Sequence, residues 1–192
     1  MKVVVIGGTG HVGTFLVPRL VMAGHEVISV SRQERAPYNA HPAWKSVKQV
    51  TIDRTEAEAK NTFGKQIIAL APDAVIDLIC FTPESAKALV ESLEGQIQHF
   101  LHCGTTWVHG HSEQVPTSED QNRKPICDYG TKKAAIEAYL LSKAHKTGFP
   151  ATILHPGHIV GPGWAPVNPA GNFNTDVFKK LAAGEELILP NI

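Results

Sequence analysis

Ile6-Gly7-Gly8-Thr9-Gly10-His11-Val12-Gly13 follows the apolar run Val3–Ile6 without a break, and helically spaced apolar residues continue behind it to Ala23. Gly7, Gly10 and Gly13 stand at intervals of three. Glycine inside ordered structure costs roughly 0.5–1 kcal/mol relative to alanine, so three in register need a reason. Between a strand and a helix they have one. The first makes a tight turn, the second lets backbone approach a pyrophosphate, and the third lets the helix pack closely on the strand. The phosphates then face a helix N-terminus, where N–H groups and the helix dipole favour negative charge. A plain strand-to-helix turn does not need this register. Thr9, His11 and Val12, within the same loop and first turn, join the three glycines as expected cofactor contacts.

Outward from this stretch, short β-branched runs alternate with helical patterns. Strands are expected at 3–6, 26–30, 47–52, 74–79, 99–102 and 151–154, and helices at 13–23, 55–70, 84–94, 129–147 and near 173–183. Such alternation implies crossover connections and therefore an α/β fold with a doubly wound parallel sheet, the Rossmann fold. Residues 33–44 and 109–125 read as loops. After Leu154 the chain becomes rich in Pro and Gly, and Glu186-Leu187-Ile188-Leu189-Pro190 resembles the start of another strand. The expected organisation is a dinucleotide-binding domain over 1–155 and the beginning of a substrate-binding region over 156–192, which breaks off inside its pattern.

The charge balance, 18 basic against 18 acidic residues in 192, argues against a general nucleic-acid or anionic-membrane partner. A small molecule carrying phosphate needs only a local patch. Cys80, Cys103 and Cys127 form neither a disulfide framework nor a CxxC pair. The N-terminus holds only Lys2 and a short apolar run, too brief for a signal or a spanning segment. A reducing, cytoplasmic compartment is expected. The ten histidines include His109-x-His111, but no carboxylate or thiolate joins them at ligand spacing, so no metal site is expected.

Proteins that bind NAD usually carry an acid about 20 residues after the glycines, for the ribose hydroxyls. Here Ser31 fills that slot and Arg32 follows it, with Arg35 nearby. Loss of the acid removes repulsion toward a 2′-phosphate, which Arg32 would pair with bidentately. NADP is therefore expected over the alternative, NAD.

Two Tyr-x-x-x-Lys pairs occur, Tyr129/Lys133 and Tyr139/Lys143, each one helical turn apart. Tyr139 lies mid-helix among Ala and Leu. Tyr129 stands at a helix start, with Ile136 and Leu140 behind it as an apolar stripe, and so reaches the carboxyl ends of the strands, where open α/β sheets bind ligands. A neighbouring ammonium favours the phenolate of a tyrosine, whose ordinary pKa is near 10. The fifth strand runs into Cys103-Gly104-Thr105-Thr106 and offers hydroxyls at its carboxyl end.

Together these pieces resemble the extended short-chain dehydrogenase/reductase family, of the NAD-dependent epimerase/dehydratase type. The resemblance runs through IGGTGHVG, APDAVIDLICF, CGTTWVHG, DYGTKK and HPGHIVGPG, in that order. It implies that Thr105 is the family's catalytic Ser/Thr and Tyr129 its acid/base. Lys133 would hold the nicotinamide ribose and depress the tyrosine's pKa. Asp53 would hold the adenine amino group, and Pro156 and Gly157 would form the turn beside the nicotinamide. The chain departs from the pattern at His155, where the family commonly has Arg, and at His109, where it has Tyr. The implied activity is hydride transfer at a carbinol or ketone carbon of a small molecule, by an epimerase, dehydratase or reductase acting on a sugar or nucleotide sugar. A homodimer would follow from the helix pairing common in the family. The competing reading is a regulator that senses the dinucleotide without catalysis.

Overall fold

The computed structural model describes residues 1–32, 36–168 and 174–189; Arg35, Phe173 and Pro190 lie outside them. The chain divides into two compact units, Met1–Pro156 and Gly157–Ile192. In the first, six parallel strands, β1 (Lys2–Ile6), β2 (Glu26–Ser31), β3 (Lys48–Thr51), β4 (Ala74–Asp77), β5 (His99–Cys103) and β6 (Ala151–Leu154), lie in the order β3-β2-β1-β4-β5-β6. Strand order reverses between β1 and β4, the place where such sheets open a crevice beyond their carboxyl ends.

Both faces of the sheet are covered, which is why its central strands are apolar without alternation. Val4, Ile6, Ile28 and Val30 pack with residues of α2 (Arg54–Ala59), α3 (Phe63–Ile68), α4 (Pro83–Leu93) and α5 (Asp128–Thr147). Val3, Val5 and Val27 pack with Leu16, Val17 and Leu20 of α1 (His11–Met22), together with Trp44 and Val47. Trp44 belongs to a 3-10 turn, Pro42–Ser46, at the end of the segment expected to be loop.

The helix expected over 55–70 is instead two. Asn61 takes a positive φ of 52°, and Thr62 opens the second helix as its N-cap. Asparagine tolerates that left-handed conformation better than most residues, so the break falls where the chain carries Asn-Thr. At the start of α2, Arg54 reaches under the sheet edge to Asp77 at the end of β4. Its Nη1 donates to both carboxylate oxygens at 2.9 and 3.0 Å, and its Nε donates to Glu58 at 2.6 Å. Asp77 is fully buried and Arg54 nearly so. Burial opposes the guanidinium's charge, but Asp77 and Glu58 outweigh it and hold Arg54 above its ordinary pKa.

The second unit contains α6 (Asp176–Ala183), which ends on Gly184 in the left-handed region. The strand expected from Glu186 does not form over 186–189. An apolar run becomes a strand only by pairing, and no described strand pairs with it. Among the described residues, no helix is long and apolar enough to cross a membrane.

Candidate active site

The glycine loop leaves β1 in a tight turn. Gly7 N–H donates to Val30 O at 2.8 Å, Gly10 N–H to Gly7 O at 3.0 Å, and Thr14 N–H to Gly10 O at 2.8 Å. Gly7 has φ +85°, and a Cβ there would lie 2.6 Å from Cγ2 of Ile79, which follows β4. At Gly13 a Cβ would lie 2.2 Å from Gly8 O, so only glycine lets α1 come this close. Gly10 is different: a Cβ would meet only Gly7 O, at 3.2 Å, and otherwise faces open space. No side chain caps α1, and no acidic residue occupies its first turn. Thr9, His11 and Val12 line this partly open rim. The shape and the uncapped dipole fit a pyrophosphate.

Gly10→Val is expected to leave the thermal midpoint close to wild type while dinucleotide affinity falls about tenfold to a hundredfold. That is the magnitude of one lost hydrogen bond to a charged group. Calorimetric titration checks it; undiminished affinity would return the glycines to a plain turn.

Ser31 ends β2, and Arg32 after it is exposed. Asp53, half-buried beyond β3, caps α2 by accepting from Glu56 N–H at 3.0 Å. Arg35 lies outside the described residues.

On the other side of the crevice, Thr105, Tyr129 and Lys133 come together. Thr105 opens a 3-10 turn, Thr106–Val108, and its hydroxyl accepts from Trp107 N–H at 3.3 Å. The same hydroxyl draws the Tyr129 phenol toward its ionised form. Tyr129 is 40% exposed, whereas Lys133, one turn further along α5, is 2% exposed. The Lys133 ammonium donates to Cys103 O at 2.7 Å and lies 5.2 Å from the Phe81 ring centre and 5.9 Å from that of Tyr129. Burial pushes the Lys133 ammonium down.

The Tyr129 phenol is not depressed. Burial pushes it above its ordinary value, and only the Thr105 hydroxyl draws it back. The Lys133 ammonium, 5.9 Å from the ring centre, does not offset that burial. In the second pair Lys143 donates to Glu94 at 2.7 Å, and the buried Tyr139 hydroxyl has no hydrogen-bond partner.

Three neighbours escaped the sequence reading. Exposed Phe81 and Trp107 flank Tyr129 at ring separations of 6.5 and 6.2 Å. Glu137, buried one turn beyond Lys133, binds Arg123 and His155. Its place at the next step of the same helical face was a usable signal. His155 packs edge-on against His109 at 5.3 Å, so the two departures from the family pattern touch each other. His102, on β5, is driven by burial to about 3 and stays neutral. Cys80 is fully buried, its thiol pushed by burial up to about 12, whereas Cys103 is half-buried. Pro156 O accepts from Thr106 N–H at 3.2 Å, and Gly157 begins the second unit. Beyond Val108 the loop surrounds a polar cavity of about 220 Å³, lined among others by His109, His111, Glu113, Asp120 and Lys124. Among the described residues, no group of three His, Cys, Asp or Glu could hold a metal ion.

The profile of the NAD-dependent epimerase/dehydratase family matches residues 3–191. The chain is 30% identical over 137 residues to 2'-dehydrokanamycin reductase of Streptomyces kanamyceticus, covering 71% of this chain and 37% of that protein. It is 26% identical over 167 residues to UDP-glucose 4-epimerase of Streptomyces lividans, covering 78% and 50%. It therefore spans half or less of these relatives' length. UDP-glucuronic acid 4-epimerase from Bacillus cereus, solved in complex with NAD, shares the fold with a TM-score of 0.72. That match is 19% identical and covers 96% of this chain and 64% of that one.

Proposed function

The chain belongs to the NAD-dependent epimerase/dehydratase family, and from that premise we propose that it is the dinucleotide-binding part of an oxidoreductase acting on a ketone or carbinol of a sugar-like small molecule. The observation that carries this reading is the gathering of Thr105, Tyr129 and buried Lys133 at the carboxyl edge of the sheet, the Lys133 ammonium held by Cys103 O 5.9 Å from the Tyr129 ring centre. A nicotinamide dinucleotide held over the glycine loop supplies the hydride donor or acceptor. Thr105 holds the substrate oxygen, and Tyr129 exchanges its proton.

The Tyr129 hydroxyl serves either direction of such a reaction, as acid toward a carbonyl and as base toward a carbinol. A phenol that keeps its proton at neutral pH delivers it to the carbonyl oxygen as hydride reaches the carbon. The phenolate left behind accepts from Thr105 and faces the positive charge of Lys133. Phe81 and Trp107 offer flat apolar walls to the reacting ring, and the polar cavity beyond Val108 suits a hydroxylated substrate. Relatives named for a keto-aminoglycoside and for nucleotide sugars fit this class.

The test follows absorbance at 340 nm with NADPH or NADH and a panel of keto-sugars, nucleotide sugars and keto-aminoglycosides. Turnover of at least one is expected; tight dinucleotide binding without turnover of any would leave a sensing protein. Asp53 and Pro156 are assigned to the adenine and nicotinamide ends, Gly157 joining Pro156 by the family pattern. Free cysteines fit a cytoplasmic setting, and the exposed Leu141 on α5 fits a homodimer.

NADP is assigned over NAD because Ser31 removes the acid and Arg32 is exposed beside it. NADPH is expected to bind tighter than NADH, and Arg32→Ala to narrow that margin about tenfold, the worth of one charged hydrogen bond. Equal affinities in the wild type would leave Arg32 a surface charge.

A further inference from the structure

We infer that Glu137 is a positioning residue: through His155 and Pro156 it holds the Thr105 hydroxyl against the Tyr129 hydroxyl. This rests on the assignment of Tyr129 as the proton carrier.

Glu137 shares the face of α5 that carries Tyr129 and Lys133, but eight residues along a helix span about 12 Å. It cannot touch the atoms that Tyr129 touches. Glu137 is 5% exposed, and a buried charge left unpaired costs several kcal/mol. Two partners compensate it. Arg123 Nε donates to Oε1 at 3.0 Å, and the His155 ring meets Oε2 at 3.0 Å. Arg123 also donates to the carbonyls of Glu119 and Gln121, so it draws the polar loop onto α5.

His155 is the link to the other half of the site. Leu154 O, just before it, accepts from Gly104 N–H at 2.8 Å, and Pro156 O, just after it, accepts from Thr106 N–H at 3.2 Å. His155 itself packs on His109, which ends the Thr105 turn. The turn is thus gripped ahead of Thr105, behind it and at its far end by three consecutive residues, and Glu137 anchors the middle one to the helix of Tyr129. His155 stands where the family commonly has Arg, and Arg123 from the loop brings a permanent cation to the carboxylate.

The experiment uses protein with tyrosine labelled at Cζ with ¹³C, the Tyr129 signal being the one lost in Tyr129→Phe. Thr105→Val removes the hydroxyl directly and should move the ionisation midpoint of Tyr129 upward, because that hydroxyl lowers it. Glu137→Ala should move it in the same direction, and Glu137→Gln, which keeps an acceptor for Arg123, by less. The double variant Thr105→Val/Glu137→Ala should go no further than Thr105→Val alone, since both act on one contact. A Glu137→Ala protein with a lowered melting temperature and an unmoved Tyr129 midpoint would reduce Glu137 to a structural ion pair. If that variant does not fold, His155→Ala carries the same test, cutting the link while Arg123 still neutralises Glu137. Loss of the catalytic assignment shows separately, as turnover that survives Tyr129→Phe.

Discussion

Tyr129→Phe is expected to lower turnover by about 10²–10⁴, the usual contribution of general acid–base catalysis, while dinucleotide affinity stays unchanged. The substitution deletes one hydroxyl and keeps the ring that packs against Phe81 and Trp107. Its effect therefore reports proton transfer, not collapse of the site. Tyr139→Phe is the matched control. Its hydroxyl is buried without a hydrogen-bond partner, and Lys143 is engaged by Glu94. Lys133→Met should reduce both turnover and affinity, since the ammonium is assigned to the ribose as well as to the phenolate. Wild-type turnover in Tyr129→Phe, with loss in Tyr139→Phe, would mean the other tyrosine carries the proton. The measurements are steady-state rates with the active substrate and calorimetry with the dinucleotide.

Asp77→Ala is expected to cost about 3–5 kcal/mol of unfolding free energy, because removing one partner of a buried pair strands the other charge. Arg54 would keep Glu58 but lose the carboxylate that accepts two of its hydrogen bonds. Since whole domains are stable by only about 5–15 kcal/mol, the variant should unfold at far lower urea. Replacing both residues, as in Arg54→Met/Asp77→Leu, should recover most of the loss, because an apolar pair needs no compensation. A single-variant cost below about 1 kcal/mol, typical of an exposed pair, would show that water reaches this ion pair.

The sheet was legible because a buried parallel strand must be apolar at every position, as Val3–Ile6 is, and because its glycines answer to backbone geometry alone. Tyr129 and Lys133 were legible because a helical turn brings residues four apart onto one face. What stayed hidden depended on long-range pairing. Nothing local in Arg54 names Asp77, 23 residues away, and nothing in His109 names His155. The direction of the Tyr129 shift was missed for the same reason. Adjacency to Lys133 argues for a lowered pKa, but burial by residues brought in through the fold outweighs it. The two-helix replacement for 55–70 turned on one backbone angle at Asn61. The apolar residues 187–189 show the converse, that a strand-like run without a partner stays irregular.

The position of β1 between β2 and β4 also shapes how the protein is made. A strand at the centre of the sheet leaves the ribosome before both of its neighbours, and the partner of Val3 on β4 is Ala74. At about 5–20 residues per second, the interval between them is roughly 4 to 14 s. Throughout it, one edge of Val3-Val4-Val5-Ile6 has no strand partner, its N–H and C=O groups open to water. An exposed apolar edge is a template for pairing with other chains. The nascent protein thus passes through a window of aggregation risk that closes only when β4 arrives, and a chaperone that shields extended apolar segments would find its target in those first strands.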